Sequence, residues 1–385
     1  MVKINYTYQT LILLLLWVSG MFKPFVIAYV ADFDIVLFAL IIACLDIAFQ
    51  LGTKFKKPAA EYVLAASVLL GFYFYLIFSN TYSVSSSYAL VKTANFVPNL
   101  VFFCYALTLK KIDLKLFIWA YCLVLIPLAV FFIYMKSIVW QVDSSATRIF
   151  KDLRNYYLSI GLHLGMLSFL VYYYLKRIWL IAALLFLLVA SSARAALFLT
   201  VLTFMIFEFQ KVITFKVKKK ILVLAVSTLV FLFAIGALFW DKLSDLLSNS
   251  LGRLAVLFSG SDKSSQGRLD AMAFALESSV DSLGTFFFGH GIGSFGMRYL
   301  GIDDRAYPHN LFIELLFELG CIGLVMILFV MILTFLRALK GAKLFLVLFF
   351  FCFMNAMKSS GLTDLWILFS IMGLTLNQKR IPLLK

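Results

Sequence analysis

The chain has 385 residues, 63% of them hydrophobic and 14% charged, with a mean hydropathy of +1.00. Soluble domains run at ~45–50% apolar and ~25% charged, and 42 phenylalanines cannot all be hidden in one aqueous core, so a water-soluble fold is excluded. A net charge of +15 would suit nucleic acid in a soluble chain, but its placement along this one points to membrane orientation instead.

A span needs ~20 mainly apolar residues. Along the chain such runs fall near residues 9–29, 34–52, 60–79, 95–109, 116–135, 156–175, 178–190, 194–208, 221–239, 309–336, 344–358 and 364–378. The expectation is therefore an all-α, polytopic integral membrane protein with about 12 transmembrane helices. The first run lacks a small-residue cleavage site and reads as a retained span. Placing both termini in the cytoplasm puts 20 basic residues inside, from Lys3 to Lys385, against 8 in the short outer loops. Six more lie in one long outer loop, which the orientation rule discounts. The charge is then an orientation signal, and nucleic acid is not an expected partner. The five cysteines, Cys44, Cys104, Cys122, Cys321 and Cys352, all fall in apolar runs, so neither a disulfide framework nor a zinc site is indicated.

Three regions follow: residues 1–239 with nine spans and short loops, 240–308 as one large outer loop, and 309–385 with three spans. Within the loop, Leu243, Leu246, Leu247, Leu251 and Leu254 recur at helical spacing, as do Leu269, Met272, Leu276, Val280 and Leu283. The Ser- and Gly-rich run 259–267 between them reads as a break. Two amphipathic helices lying on the outer face of the bundle are expected.

The residues with chemistry lie at the ends of these spans. Asp32 and Asp34 in the first outer loop have a D-x-D spacing, but one pair of carboxylates is better read as loop solvation. Seven arginines fall on the outer side: Arg148, Arg154, Arg194, Arg253, Arg268, Arg298 and Arg305. Arginine grips phosphate with two parallel hydrogen bonds, so this bias suggests a phosphate-bearing ligand. Arg268 would open the second loop helix, where free backbone N–H groups and the helix dipole would help to hold an anion. Arg194 sits at the outer mouth of a short apolar helix. Gly289, Gly291 and Gly293 do not fit a dinucleotide fingerprint, which needs a preceding strand and a cytoplasmic cofactor, and are better read as a tight turn. His163 falls in an apolar run as a satisfied bundle residue, and His290 lies in the glycine turn. His309 stands where the long loop enters a span, with Gly320 and Gly323 below it on one helical face as a groove for a neighbouring helix or a lipid chain. Glu314 and Glu318, one turn apart and opposite His309, call for a cationic partner such as Lys358 or Arg194.

With those residues in place, the chain resembles the O-antigen polymerase and ligase superfamily of bacterial inner-membrane enzymes. His309-Asn310, nine residues, then Gly320-Cys321-Ile322-Gly323 is similar to that family's H-[NSQ]-x9-G-x-x-[GTY] signature. Gly289-x-Gly291-x-Gly293-x-Phe295 resembles its glycine-rich approach to the histidine. Ser192-Ala193-Arg194-Ala195-Ala196 resembles its S-R-[GA] helix start with an extra Ala, and Arg148 to Asn155 resembles an R-x-x-G-x-F-x-x-x-N element without the glycine. The resemblance implies a GT-C-like glycosyltransferase architecture and a glycan donor linked to undecaprenyl diphosphate on the periplasmic side, with no cofactor and no metal. It implies that His309 activates the acceptor hydroxyl, that Arg194, Arg268 and Arg148 hold the diphosphate, and that Asn310, Gly320 and Gly323 support the site. Arg305, four residues before His309, is added to the clamp from its position. The expected partners are the lipid-linked oligosaccharide as donor and acceptor, membrane lipids, and a chain-length regulator protein. The polymerase reading leads, transfer to lipid A core is the alternative, and a flippase or transporter is a more distant one.

Overall fold

The computed structural model describes residues 2–29, 33–53, 60–139, 156–191, 193–213, 263–359 and 361–378. Among them every regular element is helical: α1 (Val2–Tyr29), α2 (Ile35–Thr53), α3 (Ala60–Ser79), α4 (Tyr88–Ala94), α5 (Val97–Thr108), α6 (Leu114–Val139), α7 (Tyr157–Leu170), α8 (Ile178–Ala190), α9 (Arg194–Ile213), α10 (Lys263–Ser279), α11 (Leu283–Phe288), α12 (Ser294–Leu300), α13 (Leu311–Leu339), α14 (Lys343–Ser359) and α15 (Trp366–Asn377). Five stretches are long and apolar enough to cross a bilayer: Glu61–Ser79, Tyr88–Thr108, Leu114–Met135, Tyr157–Leu175 and Leu311–Leu339. Shorter apolar helices at Ile35–Gln50, Ile178–Ala190 and Trp366–Asn377 accompany them. The chain is an all-α polytopic membrane protein. The expected span at 221–239 and the first amphipathic helix near 243–254 lie outside the described residues.

The helices fall into two compact units, one of residues 1–117 with 266–385 and one of residues 118–265. In the first, α5 and α15 form the tightest pair. A side chain at Gly373 would overlap the Phe103 carbonyl and the Ala106 methyl on α5, so this small residue lets the two backbones meet, as is common between membrane helices. Asn377 donates to the carbonyls of Ala106 and Leu109 at 3.2 and 2.6 Å, and Trp17 on α1 donates to Ser370 at 2.8 Å. In the second unit α7, α8 and α9 pack together, with Gly161 facing the methyls of Ala193 and Ala196. Tyr172 and Tyr173 both donate to Glu208, at 3.1 and 2.5 Å, so this buried carboxylate has partners. His163 pairs with Tyr121, as a satisfied bundle residue would.

Helix α13 is the frame of the first unit. It is 29 residues long and broken at Gly320, which has φ 64° and ψ −169°. The break frees the carbonyls of the preceding turn, and in a bilayer such groups must be satisfied by protein. The glycine-rich segment after α11 does so. The N–H groups of His290 and Gly291 donate to the carbonyls of Phe317 and Glu318 at 2.8 and 2.9 Å, and the Tyr75 hydroxyl on α3 donates to Leu319 at 2.9 Å. A Cβ at Gly320 would overlap the Phe287 carbonyl, and one at Gly289 would overlap the Glu318 carbonyl. Both glycines have positive φ, so close approach and backbone conformation each demand them. The groove expected below His309 is occupied at Gly320 by a neighbouring helix, the C-terminal backbone of α11 at Phe287 and Phe288.

Candidate active site

His309 does not stand on α13. The helix begins at Leu311, and Asn310 is its N-cap, its side chain accepting from the N–H groups of Phe312 and Ile313 at 3.0 and 3.2 Å. The Asn of the signature is thus a cap, a role for which Asn is among the preferred residues. His309 lies one residue earlier with φ 57°, a left-handed conformation uncommon outside glycine and more frequent for His, Asn and Asp than for other residues. The half-buried imidazole packs against Tyr307, with ring centroids 4.6 Å apart and the planes tilted by 58°. Among the described residues its buried Nδ1 has no hydrogen-bond partner.

The loop that carries His309 is pinned at two further points. Asp303 accepts from the hydroxyls of Ser85 and Ser87 at 2.5 and 2.9 Å, and from the N–H groups of Ser87 and Tyr88 at 2.9 and 3.3 Å. The Ser85 hydroxyl, followed by the other donors, holds this carboxylate well below the usual range. Arg305 pairs with Asp364 at 2.5 Å and lies 5.8 Å over the Tyr307 ring. Arg305 therefore braces the loop through part of its guanidinium.

Beneath the loop lies a buried ion cluster. Lys92 on α4 donates to Glu314 at 2.6 Å and to Glu318 at 2.8 Å, and all three side chains are at most 2% exposed. The partner of the two glutamates is thus Lys92, and not the Lys358 or Arg194 expected from sequence. Their spacing of four residues puts both carboxylates on one face of α13, where a single ammonium reaches each. Glu314 also accepts the Leu362 N–H at 3.0 Å. That bond fixes the 3₁₀ turn Leu362–Asp364, whose last residue holds Arg305. Position passes in this way from Lys92 through Glu314 and Asp364 to Arg305, Tyr307 and His309.

Helix α10 brings the next cation. Ala271 and Ala275 pack against Phe295 and Phe317, with Phe274, Tyr299 and Ile313 around them. His290 closes the same corner, donating from Nε2 to the Ser278 carbonyl at 3.0 Å, with its ring 4.6 Å from Phe317. Arg268 projects from α10, partly exposed. The helix starts at Lys263, so Arg268 is its sixth residue and lies beyond the turn with free N–H groups. The expectation of a helix-terminus anion site at Arg268 fails for that reason. Arg268 instead acts on His309: burial first, then Arg268 and Lys358, push the imidazole below its ordinary pKa. Burial raises that of Tyr307.

Arg194 is the first residue of α9, in the second unit, and Arg148 lies outside the described residues. Gly323 is buried in α13 three residues past the break. Asp34 caps α2 through the N–H groups of Val36 and Leu37, at 2.9 and 3.2 Å, and pairs with Lys23 at 2.7 Å; Asp32 lies outside the described residues. Among the described residues no three His, Cys, Asp or Glu side chains come together as metal ligands.

The fold and this cluster make up a membrane protein with an imidazole at the mouth of a span, its pKa lowered by burial and then by the charges of Arg268 and Lys358. Residues 178–328 match the family model described as O-antigen ligase. That stretch is similar to the O-antigen ligase family, in line with the resemblance carried by His309-Asn310 and Gly320-Cys321-Ile322-Gly323. It includes Arg194, Arg268, Arg305, His309, Gly320 and Gly323. No curated protein matches the chain with significant similarity.

Proposed function

We propose that the protein is a glycosyltransferase of the bacterial inner membrane that polymerises oligosaccharide repeat units linked to undecaprenyl diphosphate, working on the periplasmic side and releasing undecaprenyl diphosphate. The observation that supports this reading is the His309 environment: burial first, then the charges of Arg268 and Lys358, lower the imidazole pKa and favour its base form beside two cations. Neutral His309 takes the proton of the acceptor hydroxyl as the oxygen attacks the anomeric carbon of the donor. The bond from that carbon to the diphosphate oxygen breaks, and the diphosphate leaves with the electron pair. Positioned general bases contribute ~10²–10⁴-fold. Positive side chains set in advance near the leaving group stabilise its growing charge without reorganisation. Arg268 is the central residue of this clamp, Arg305 supplies the guanidinium donors that Asp364 leaves over, and the family resemblance adds Arg194 and Arg148.

The left-handed backbone at the half-buried His309 supports a catalytic rather than a packing role, because such strain, ~1–3 kcal/mol, clusters at functional sites where the surroundings over-determine it. Transfer to lipid A core uses the same constellation and differs only in its acceptor, so it is the second reading. The test is purified protein in nanodiscs given the lipid-linked repeat unit, with and without lipid A core. Polymer should form without core and vanish in His309→Ala. Arg268→Lys, which loses the two-pronged grip, should lower the rate roughly ten- to hundredfold, since charged hydrogen bonds are worth ~1.5–3 kcal/mol; Arg298→Lys, exposed on α12, should be nearly silent. Product only with core would establish the ligase, and a normal polymer ladder from His309→Ala would remove His309 from the mechanism.

A further inference from the structure

Helix α11 has no buried residue, yet four of its six side chains are apolar: Leu283, Phe286, Phe287 and Phe288. Leu283 is 79% exposed, Phe287 47% and Phe288 48%, with Val280 just before them at 64%. In water such a patch would be paid for in hydration free energy and would mark a surface that something covers.

Its level relative to the spans says what covers it. Arg337 on α13 and Glu61 on α3 lie 3.7 Å apart and mark one depth at the far end of both helices. Counting ~20 residues from Arg337 along α13 puts the other edge of the hydrocarbon near Phe317. Gly320, whose Cβ would overlap the Phe287 carbonyl, is then about 5 Å inside that edge at ~1.5 Å per residue. Counting ~20 from Glu61 along α3 puts the edge near Thr81. Tyr75, which donates to the Phe288 carbonyl at 3.2 Å, is then about 9 Å inside it. Counted from that one ion pair, both helices place residues 287–288 below the same surface.

The polar groups agree with that depth. No Asp, Glu, Lys or Arg occurs between residues 282 and 297. Ser282 and Thr285 close a capping box at the start of α11. The Phe288 carbonyl accepts from Tyr82 at 2.8 Å as well as from Tyr75, and the Gly289 N–H donates to Thr285 at 2.8 Å. Backbone at membrane depth is tolerated when its hydrogen bonds are closed within the protein, and here the docked segment meets that condition while its phenylalanines point away.

We infer that residues 282–288 form a re-entrant element immersed in the bilayer, entered just after the exposed Asp281 at headgroup level, with Leu283, Phe286, Phe287 and Phe288 in contact with lipid acyl chains. The element enters the membrane beside α3 and α13 on the His309 side, as an apolar helix face that lies at the headgroup and acyl boundary. The loop that carries the catalytic cluster is thus anchored in lipid as well as in protein.

The test is spin labelling at Leu283→Cys, Phe287→Cys and, as a solvent-exposed control, Gln266→Cys, each in a background with the five native cysteines replaced. The protein is reconstituted in phosphatidylethanolamine and phosphatidylglycerol vesicles, and collision with molecular oxygen is compared with collision with a water-soluble nickel chelate. Oxygen collisions should exceed nickel collisions several-fold at 283 and 287, with the reverse at 266. Nickel access at 283 and 287 equal to that at 266 would place the element in water and overturn the inference. Low collision with both reagents would show cover by protein, a second copy or a partner, and would overturn it equally. Both side chains are exposed, so the substitutions leave the packed core intact.

Discussion

Replacing Lys92 should be far more damaging than replacing the glutamate it contacts, even though each change breaks the same 2.6 Å ion pair. Lys92→Met removes the cation and leaves Glu314 and Glu318 one turn apart, at 1% exposure, without a counterion. Breaking a buried pair from one side is destabilising by ~3–5 kcal/mol because an uncompensated charge stays behind, which is roughly a 10²- to 10³-fold or larger fall in the folding equilibrium constant. Glu314→Gln instead leaves one carboxylate to one ammonium and keeps an oxygen for the Leu362 N–H. It exchanges a charge-assisted hydrogen bond for a neutral one, a loss of about 1 kcal/mol. Unfolding of the purified proteins in detergent, followed by tryptophan fluorescence through an SDS titration, reads the difference directly. The combined Lys92→Met, Glu314→Gln, Glu318→Gln protein, with no charge in the cluster, should recover most of the stability that Lys92→Met loses. A Lys92→Met protein within about 1 kcal/mol of wild type, or a Glu314→Gln protein less stable than Lys92→Met, would refute this account of the buried cluster.

Because burial, Arg268 and Lys358 together hold the His309 pKa below its ordinary value, the base form persists to a pH below the unperturbed ~6.5. Lys358→Gln should move the acid limb of the rate profile to higher pH, and a limb that stays or moves down would contradict the assignment. Gly320→Ala should destabilise by more than ~3 kcal/mol, since its φ and ψ belong to a region open almost only to glycine and its methyl would overlap the Phe287 carbonyl. Gly267→Ala, inside α10 with no atom within 4 Å of the added methyl, should stabilise by about 0.5–1 kcal/mol; thermal unfolding compares the two. Turnover should continue in excess EDTA because arginines supply the positive charge of the clamp, and restoration of a lost activity by magnesium or manganese would replace the arginine clamp with a metal-dependent mechanism.

Most of the helical frame was legible in hydropathy alone. The apolar run at 60–79 coincides with α3, and the run opening at Arg194 coincides with the start of α9, because bilayer thickness fixes how long such runs must be. His309 was legible from its spacing to Gly320, yet the meaning of that spacing was not. The nine intervening residues are the piece of α13 between cap and break, and only backbone angles reveal the break. Lys92 was missed because it lies 222 residues from Glu314 in sequence and at the edge of an apolar run, where a lysine normally reads as an interfacial anchor. The Ser- and Gly-rich run before Arg268 misled in the opposite direction. Ser264, Ser265 and Gly267 are residues of α10 itself, held helical by the packing of Ala271 and Ala275 onto Phe295 and Phe317, a tertiary term that outweighs their weak propensity.

The break at Gly320 also bears on how the chain is made. Its freed carbonyls find their donors in His290, Gly291 and Tyr75, all of which leave the ribosome before α13 does. A nascent α13 entering the bilayer alone would expose bare peptide groups to hydrocarbon, each several kcal/mol uphill. Only 22 residues separate the end of α11 from the start of α13, so the donors are close at hand as it inserts. The glycine-rich run thus serves as a built-in insertion partner for the helix that follows it. Chain order places the dock ahead of the helix that needs it, and a circular permutation that reversed the order should lower the yield of inserted α13 while leaving every final contact able to form.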